Sequence, residues 1–313
     1  MKLKYIVKLV VSLIFSISLL HAQPLPKVEK GKIERIEKLG SKYVDARNVD
    51  VWLPEGYSSK KKYAVLYMHD GQMLFDSSTT WNKRSWDVDK VITRLLEDRK
   101  LKDVIVVGIW NGDKSRHADY FPQKPFENLD KEKKEMVINA ARNNGVSVFG
   151  NYQIQSDGYL KFLVEELKPL IDKKYSTKKG PAYTFIAGSS MGGLISMYAI
   201  CEYPSIFGGA ACLSTHWPGI FVLKNNPIPD AFVYYLQQNL PNPKNHKFYF
   251  DYGDKTLDAM YPTLQKKVDE VMKQKGYTEK NWITRFFPGQ DHSEDSWRSR
   301  FEIPLQFLLG NKL

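Results

Sequence analysis

The pentapeptide Gly188-Ser-Ser-Met-Gly192 is the part of this sequence that most directly suggests chemistry. It stands between an apolar run at 183–187, typical of a buried strand, and a segment at 194–201 with the composition of a helix. A serine in such a strand-to-helix turn is the nucleophile elbow, whose backbone is so tight that the flanking positions need glycine. The pattern predicts Ser190 as a nucleophile; a glycine-rich turn without chemistry is the alternative.

A serine hydroxyl becomes a nucleophile when a histidine removes its proton and a carboxylate orients that histidine. His292 stands after the last apolar strand, at 282–287, and before the C-terminal helix. The other five of the six histidines lie in the first 22 residues, at the ends of earlier strands or in polar loops. We therefore predict that His292 is the base.

Three aspartates lie at or after the preceding strand, at 246–252. Asp258 would stand at the start of the following helix, Asp254 in the turn itself and Asp251 within the strand. Aspartates often serve as turn or cap residues in such places, so each has an alternative role. We predict Asp258 as the acid, with Asp254 as the second choice and Asp251 as the third.

Acyl transfer also needs two backbone N–H donors for the oxyanion. One is predicted to be the N–H of Met191, at the start of the helix that follows the elbow. The other is predicted to be the N–H of Gln72, in the loop after the strand at 63–69, where Gly71 permits an unusual backbone. An ordinary strand-terminal turn is the alternative for this loop.

Three further residues are candidates for contact with a substrate. Asn111 and Arg116 follow the strand at 104–110 and could line the pocket, although a loop-stabilising role fits them equally well. Trp217 follows another strand and could stack on a sugar or an aromatic acyl group, with core packing as the alternative.

Alternating apolar runs and helical patterns position these residues. Strands are predicted at 43–53, 63–69, 104–110, 183–187, 208–213, 246–252 and 282–287, and helices at 88–98, 128–143, 159–173, 194–201, 259–275 and 297–309. Such an order predicts an α/β fold with a mostly parallel sheet and helices on both faces. Residues 112–157 have no strand pattern, and we predict that they form a lid-like insertion that shapes the substrate pocket. The stretch before residue 246 is predicted to be irregular.

The N-terminus has the pattern of a secretory signal peptide over residues 1–22: a basic start, a short apolar run and a small residue before Gln23. An uncleaved anchor is the alternative. A leader at 23–38 and one domain at 39–313 would follow, in a periplasmic or secreted protein without an integral membrane span.

The net charge of +11 falls to +8 without the three lysines of the signal segment, and the remaining lysines are mixed with acids. This pattern disfavours nucleic-acid binding.

Cys201 and Cys212 are the two cysteines, and both lie in apolar segments. We predict buried free thiols, although an oxidising compartment would permit a disulfide. No cysteine or histidine spacing suggests a metal site, and the predicted chemistry needs no cofactor.

Several stretches together resemble the putative-esterase group of α/β-hydrolases, which includes S-formylglutathione hydrolase, feruloyl and acetylxylan esterases and enterochelin esterase. The similar stretches span about residues 40–309: 67–72, 74–75, 108–111, 116, 120–122, 159–172, 188–193, 203–208, 253–258 and 289–298. The resemblance implies the α/β-hydrolase fold, with Ser190, Asp258 and His292 as a triad and the Gln72 and Met191 amides as oxyanion donors. Asp254 departs from the small polar residue that many relatives have, which keeps it open as the acid.

These observations predict an exported serine carboxylic-ester hydrolase that acts through an acyl-enzyme. A small-molecule or carbohydrate ester, feruloyl or acetyl, is the expected substrate. Hydrolysis of a siderophore or other ester, acyl transfer on the same fold, or a catalytically silent carbohydrate-binding protein are the alternatives.

Overall fold

One eight-stranded sheet runs through the computed structural model, which describes residues 23–142, 144–222 and 224–311. The strands are β1 (Lys32–Leu39), β2 (Arg47–Leu53), β3 (Ala64–His69), β4 (Val104–Ile109), β5 (Thr184–Ser189), β6 (Gly209–Leu213), β7 (Lys247–Tyr252) and β8 (Trp282–Phe286). Their order in the sheet is β1-β2-β4-β3-β5-β6-β7-β8. β2 runs antiparallel to β1 and β4, and every other pair is parallel. The predicted mostly parallel sheet is confirmed.

Helices cover both faces of this sheet, as predicted. They are α1 (Val88–Glu97), α2 (Arg116–Tyr120), α3 (Gln123–Glu127), α4 (Lys131–Ile138), α5 (Ser156–Lys161), α6 (Lys168–Lys174), α7 (Met191–Glu202), α8 (Ile228–Asn239), α9 (Pro262–Gln274), α10 (Glu294–Arg300) and α11 (Glu302–Leu309). A π-helical segment, Phe162–Leu167, joins α5 to α6 into one continuous helical stretch.

The core lies on the two faces of the sheet, and β3 shows how the sequence divides between them. Val65 and Tyr67 belong to the apolar cluster that includes α7, α8 and α9. Leu66 and Met68 point to the opposite cluster, with α1 and α11. Successive strand residues face opposite sides of a sheet, so a strand covered on both sides must be apolar throughout. This explains why β3 is recognisable in the sequence as an uninterrupted apolar run.

Two elements outside the insertion lie where the sequence predicted none, and within the insertion α2 and α3 were not predicted either. β1 falls mostly within the segment 23–38 that was assigned to a leader, and it is a largely half-exposed edge strand rich in charged residues. α8 lies in the stretch predicted to be irregular, although its buried residues Ile228, Phe232, Tyr235 and Leu236 have helical spacing. The predicted signal peptide, residues 1–22, lies outside the described residues.

The insertion at 112–157 packs closely on the domain. Its charged helix, predicted at 128–143, is the shorter α4. Asp119 in α2 is fully buried and pairs with the buried Arg47 of β2, at 3.2 Å between Oδ2 and Nη2. Ser115 and Gln155 donate to the same carboxylate, at 2.8 and 2.7 Å. Both ends of the insertion are therefore held to the sheet through one aspartate.

The two cysteines are reduced and lie in the core. Cys201 and Cys212 are both buried, and neither forms a disulfide. Burial raises the pKa of both thiols above the ordinary value. Within residues 23–142, 144–222 and 224–311, no helix combines the length and apolar character needed to cross a bilayer.

Candidate active site

A sharp turn between β5 and α7 carries Ser190. Its backbone has φ 58° and ψ −123°, a conformation that side-chain-bearing residues rarely adopt. The Ser190 N–H donates to the carbonyl of Leu213, at 2.9 Å. A Cβ added at Gly188 would lie 2.7 Å from the backbone carbon of Gly192, so the turn closes only with glycine there. The strained backbone and the tight glycine contact are those of a nucleophile elbow.

Ser190 lines a cleft of about 340 Å³ at the edge of the sheet where the parallel strands end. His292 lines the same cleft, as do Asn111 and Arg116. These four residues come from the loops after β4, β5 and β8, and Asn111 and His292 stand 181 positions apart in the sequence.

His292 is oriented by Asp258. The distance between His292 Nδ1 and Asp258 Oδ1 is 2.6 Å. A carboxylate only accepts hydrogen bonds, so Nδ1 carries the proton and Nε2 is left as the basic nitrogen. Trp297 and Tyr261 contact the imidazole edge-on, with ring centroids 5.0 and 5.9 Å away. The ring is thus fixed by a hydrogen bond and by packing on two aromatic side chains.

The Asp258 carboxylate is fully buried and is satisfied on both oxygens. Its Oδ2 accepts from the Ser214 hydroxyl and from the Gly253 N–H, each at 2.6 Å. Ser214 Oγ in turn accepts from the indole N–H of Trp297 at 2.9 Å and from the guanidinium of Arg300 at 2.8 Å. One hydroxyl therefore connects the carboxylate to two side chains of α10.

Arg300 also pairs with Asp251, at 2.9 Å between Nη2 and Oδ1, and both side chains are buried. Burial raises the pKa of Asp251, and the nearby Arg300 opposes that rise. Sequence reasoning missed Ser214 and Arg300 as residues that support the site. No signal in the sequence indicated Arg300, because its helix α10 is rich in polar residues and contains Arg298 as well.

Asp254 and Asp251, the alternatives for the acid, lie elsewhere. Oδ1 of Asp254 accepts from the Gly289 N–H at 2.8 Å and so closes the turn that precedes His292. The His292 N–H is held by Thr256 Oγ1 at 2.9 Å. Of the three aspartates, Asp258 is the one whose carboxylate contacts the imidazole.

The turn after β3 brings Gln72 to the cleft. Asp70 has φ 55°, and Gly71–Met73 form a 3₁₀ turn. A Cβ on Gly71 would lie 2.5 Å from the backbone of Gly108, which explains the need for glycine in this loop. Met191 opens α7 directly after Ser190. Of the two residues predicted as oxyanion donors, Gln72 thus lies in a short 3₁₀ turn at the cleft and Met191 is the first residue of the 12-residue α7.

Asn111 and Arg116 are joined by Asp70. Arg116 binds both carboxylate oxygens of Asp70, at 2.6 and 2.8 Å, and the Asn111 amide donates to Oδ1 at 2.6 Å. Burial acts to raise the pKa of Asp70, but Arg116 and Asn111 outweigh it and hold the pKa below its ordinary value. Both predicted residues line the cleft, and both also hold the loop after β4 to the turn after β3.

Trp217 does not lie in this cleft, and its assignment as a substrate-binding residue is corrected. Its side chain is 1% exposed, and its indole N–H donates to Gln265 Oε1 at 2.8 Å. The ring packs on Phe250, with centroids 5.8 Å apart. Its burial supports the alternative role, packing in the core. The sequence could not show this, because residue spacing does not reveal which side of a strand-terminal turn faces solvent.

A different tryptophan, Trp81, lines the cleft and was missed by sequence reasoning. It is 84% exposed and stands among polar residues between β3 and α1. A tryptophan within such a polar run was the available signal.

The described part of the chain contains no group of three or more histidine, cysteine, aspartate or glutamate side chains placed to hold a metal ion.

Comparison with known proteins gives a family match over residues 41–306, to the family described as "Putative esterase". A curated relative, the endo-1,4-beta-xylanase/feruloyl esterase of Xylanibacter ruminicola, is 24% identical over 90% of this chain, which spans 32% of that larger protein.

Among solved structures, a ferulic acid esterase has a TM-score of 0.61 at 19% identity, covering 90% of this chain and 98% of that one. The enterobactin esterase FES from Shigella flexneri has a TM-score of 0.63 at 16% identity, covering 90% and 60%. Both similarities are those of fold, and the fold that they share with this chain is the α/β-hydrolase fold.

Proposed function

The chain belongs to the "Putative esterase" family and is a carboxylic ester hydrolase, and from this premise we propose that Ser190, His292 and Asp258 form its catalytic triad. The observation that carries the proposal is the 2.6 Å contact between His292 Nδ1 and Asp258 Oδ1 in the cleft that Ser190 lines. The strained elbow at Ser190 supports the same assignment.

In the proposed reaction, Ser190 Oγ attacks the ester carbonyl while Nε2 of His292 takes its proton. The N–H groups of Gln72 and Met191 stabilise the resulting oxyanion. His292 then gives the proton to the leaving alcohol, which departs and leaves the acyl group on Ser190. A water molecule, deprotonated by His292, then attacks the acyl carbonyl, and His292 gives that proton to Ser190 Oγ as the acyl–Oγ bond breaks and the acid is released. Asp258 holds the imidazole in the required tautomer and stabilises its charged form.

For the substrate, we propose a carbohydrate-linked feruloyl or acetyl ester. The relative named as a xylanase and feruloyl esterase supports this class, and the predicted export of the protein would bring it to plant polysaccharide. We also propose that residues 1–22 are removed as a signal peptide and that the mature protein is periplasmic or secreted. N-terminal sequencing of the protein from culture medium and periplasm tests this, since cleavage after Ala22 would leave Gln23 first.

The decisive experiment measures hydrolysis of p-nitrophenyl acetate, methyl ferulate and acetylated xylan by the wild type, Ser190→Ala and His292→Ala. Ser205→Ala, which removes an exposed serine just after α7, is the matched control. We expect each triad variant to lose at least about 10⁴-fold in kcat, with loss of fluorophosphonate labelling in Ser190→Ala. A wild type that turns over no ester and resists the label would refute the proposal.

Three additions to this assay separate the alternatives: a siderophore ester, an acceptor alcohol and a measurement of xylan binding. Preference for a catechol-type siderophore ester, suggested by the fold shared with enterobactin esterase, would replace the carbohydrate substrate but keep the triad. Transfer of the acyl group to an added alcohol in preference to water would indicate an acyltransferase. Binding of xylan without turnover would indicate a catalytically silent protein.

A further inference from the structure

Trp81 is the most exposed of the large apolar side chains in the described part of the chain, at 84%, yet it borders the cleft that contains Ser190 and His292. Leaving so large an apolar surface in water forgoes the free energy that burial would give. An indole face stacks on aromatic rings and also packs against the apolar C–H face of a sugar. The position of this indole therefore indicates a contact with substrate.

The neighbours of Trp81 hold it next to the histidine loop. The side-chain amide of Asn82 donates to Glu294 Oε2 at 3.0 Å, and Glu294 stands two residues after His292. Further along the same segment, Trp86 is buried and packs on Trp297, with ring centroids 5.6 Å apart. Trp81 is thus attached on its C-terminal side to the loop and helix that position the imidazole.

This attachment fixes which part of an ester Trp81 would meet. In the proposed mechanism, His292 delivers its proton to the oxygen of the leaving alcohol, so the alcohol lies on the His292 side of the cleft. Trp81 and Glu294 both line the cleft, and Asn82 joins them on that side through its bond to Glu294. They combine one aromatic face with a carboxylate, which suits a sugar with its apolar face and hydroxyl edges.

We propose that Trp81 is a stacking platform for a sugar ring of the alcohol portion of the substrate. The inference rests on the proposed function and deepens it, because it assigns the carbohydrate to the leaving side and gives it a named contact. Trp81 then determines specificity: it contributes to the binding of carbohydrate esters and takes no part in breaking the ester bond.

The test uses two esters that share the feruloyl group: methyl ferulate, whose alcohol has no ring, and feruloyl arabinose. Trp81→Ala should lower kcat/KM for feruloyl arabinose by about tenfold, mainly through KM, as expected for the loss of one aromatic contact. It should leave methyl ferulate within about twofold. Trp81→Phe, which keeps a smaller ring, should fall between. Tyr234→Ala, which removes an exposed aromatic side chain on α8, is the control.

An equal loss on both esters, or none on either, would overturn the inference while the proposed hydrolase function stands. A binding measurement tests the role of Trp81 even if the proposed hydrolase function fails. Calorimetry of Ser190→Ala with arabinoxylan oligosaccharide should show binding that the Ser190→Ala/Trp81→Ala double variant loses, whether or not the wild type hydrolyses ferulates. Unchanged binding in the double variant would refute the role of Trp81 without reference to turnover.

Discussion

Ser214 donates a 2.6 Å hydrogen bond to Oδ2 of Asp258, the carboxylate oxygen that does not face His292. The serine stands at the end of β6, with φ 42°, and its oxygen accepts from both Trp297 and Arg300. The orientation of the candidate acid therefore depends on a residue that makes no contact with the cleft.

Ser214→Ala is expected to lower kcat by about 10- to 100-fold with little change in KM, because a looser Asp258 orients the imidazole less well. Steady-state kinetics on p-nitrophenyl acetate measures the split between kcat and KM. The low-field NMR resonance of the His292 Nδ1 proton should shift or broaden in the variant. An unchanged resonance together with reduced stability would mean that Ser214 serves only the fold.

Asp258→Asn should lower kcat by about 10⁴-fold, since an amide facing Nδ1 favours the wrong imidazole tautomer. Asp254→Asn is the matched control. Its side-chain oxygen can still accept from Gly289, so we expect less than about tenfold loss. Comparable losses in the two variants, measured on one ester at one pH, would contradict the assignment of the acid.

Gly188→Ala should prevent the elbow from closing, because the added Cβ would lie 2.7–2.9 Å from three backbone atoms of Gly192. Overpacking against backbone costs about 1–3 kcal/mol or more, so thermal unfolding should begin at a lower temperature and labelling of Ser190 should fall. Gly40→Ala places the same methyl group where no atom lies within 4 Å. Similar melting temperatures for the two variants would argue against a strained turn.

Stability should decrease as the pH falls from about 6.5 towards 3. Burial lowers the pKa of His69 and of His117 to about 3, and in both cases the positive charge of Arg116 adds to the effect. In the unfolded chain these histidines titrate near 6.5, so between the two values the unfolded state binds protons that the folded state does not.

Each of these histidines should therefore remove roughly 1 kcal/mol of stability per pH unit within that window. Urea unfolding at pH 7, 6 and 5 measures the slope. His117→Gln retains a donor for the Gly219 carbonyl, which His117 Nε2 contacts at 2.8 Å. In this variant the free energy of unfolding should depend less steeply on pH, by the contribution of about one proton taken up on unfolding. An unaltered slope would show that His117 is not buried as a neutral ring.

The sequence predicted the central strands well, because a strand covered on both faces is apolar at every position and β3, β4 and β5 are buried throughout. It predicted β1 poorly, because a half-exposed edge strand lacks that signal. Ser190, Asp258 and His292 follow β5, β7 and β8, and the loops at the carboxyl ends of parallel strands meet at one edge of the sheet.

What the sequence did not contain was the side-chain network behind that edge. Ser214 and Arg300 are 86 positions apart, and no spacing rule connects them. The sequence did not show exposure either: Trp217 lies in the connection after β6 and Trp81 in the connection after β3, yet Trp217 is 1% exposed and Trp81 is 84% exposed. These distinctions arise only when the helices pack and decide which face of each loop is covered.

The walls of the cleft come from separate strand-to-helix connections: Trp81 from the one after β3, Arg116 from the one after β4 and Glu294 from the one after β8. These connections are joined to one another by side-chain hydrogen bonds, Arg116 to Asp70 at 2.6 Å and Asn82 to Glu294 at 3.0 Å. Grafting one loop from a relative therefore breaks a bond to a neighbouring loop unless both loops are exchanged together. The walls of the cleft are inherited as a set, whereas the Ser190 backbone is anchored to the sheet through the carbonyl of Leu213.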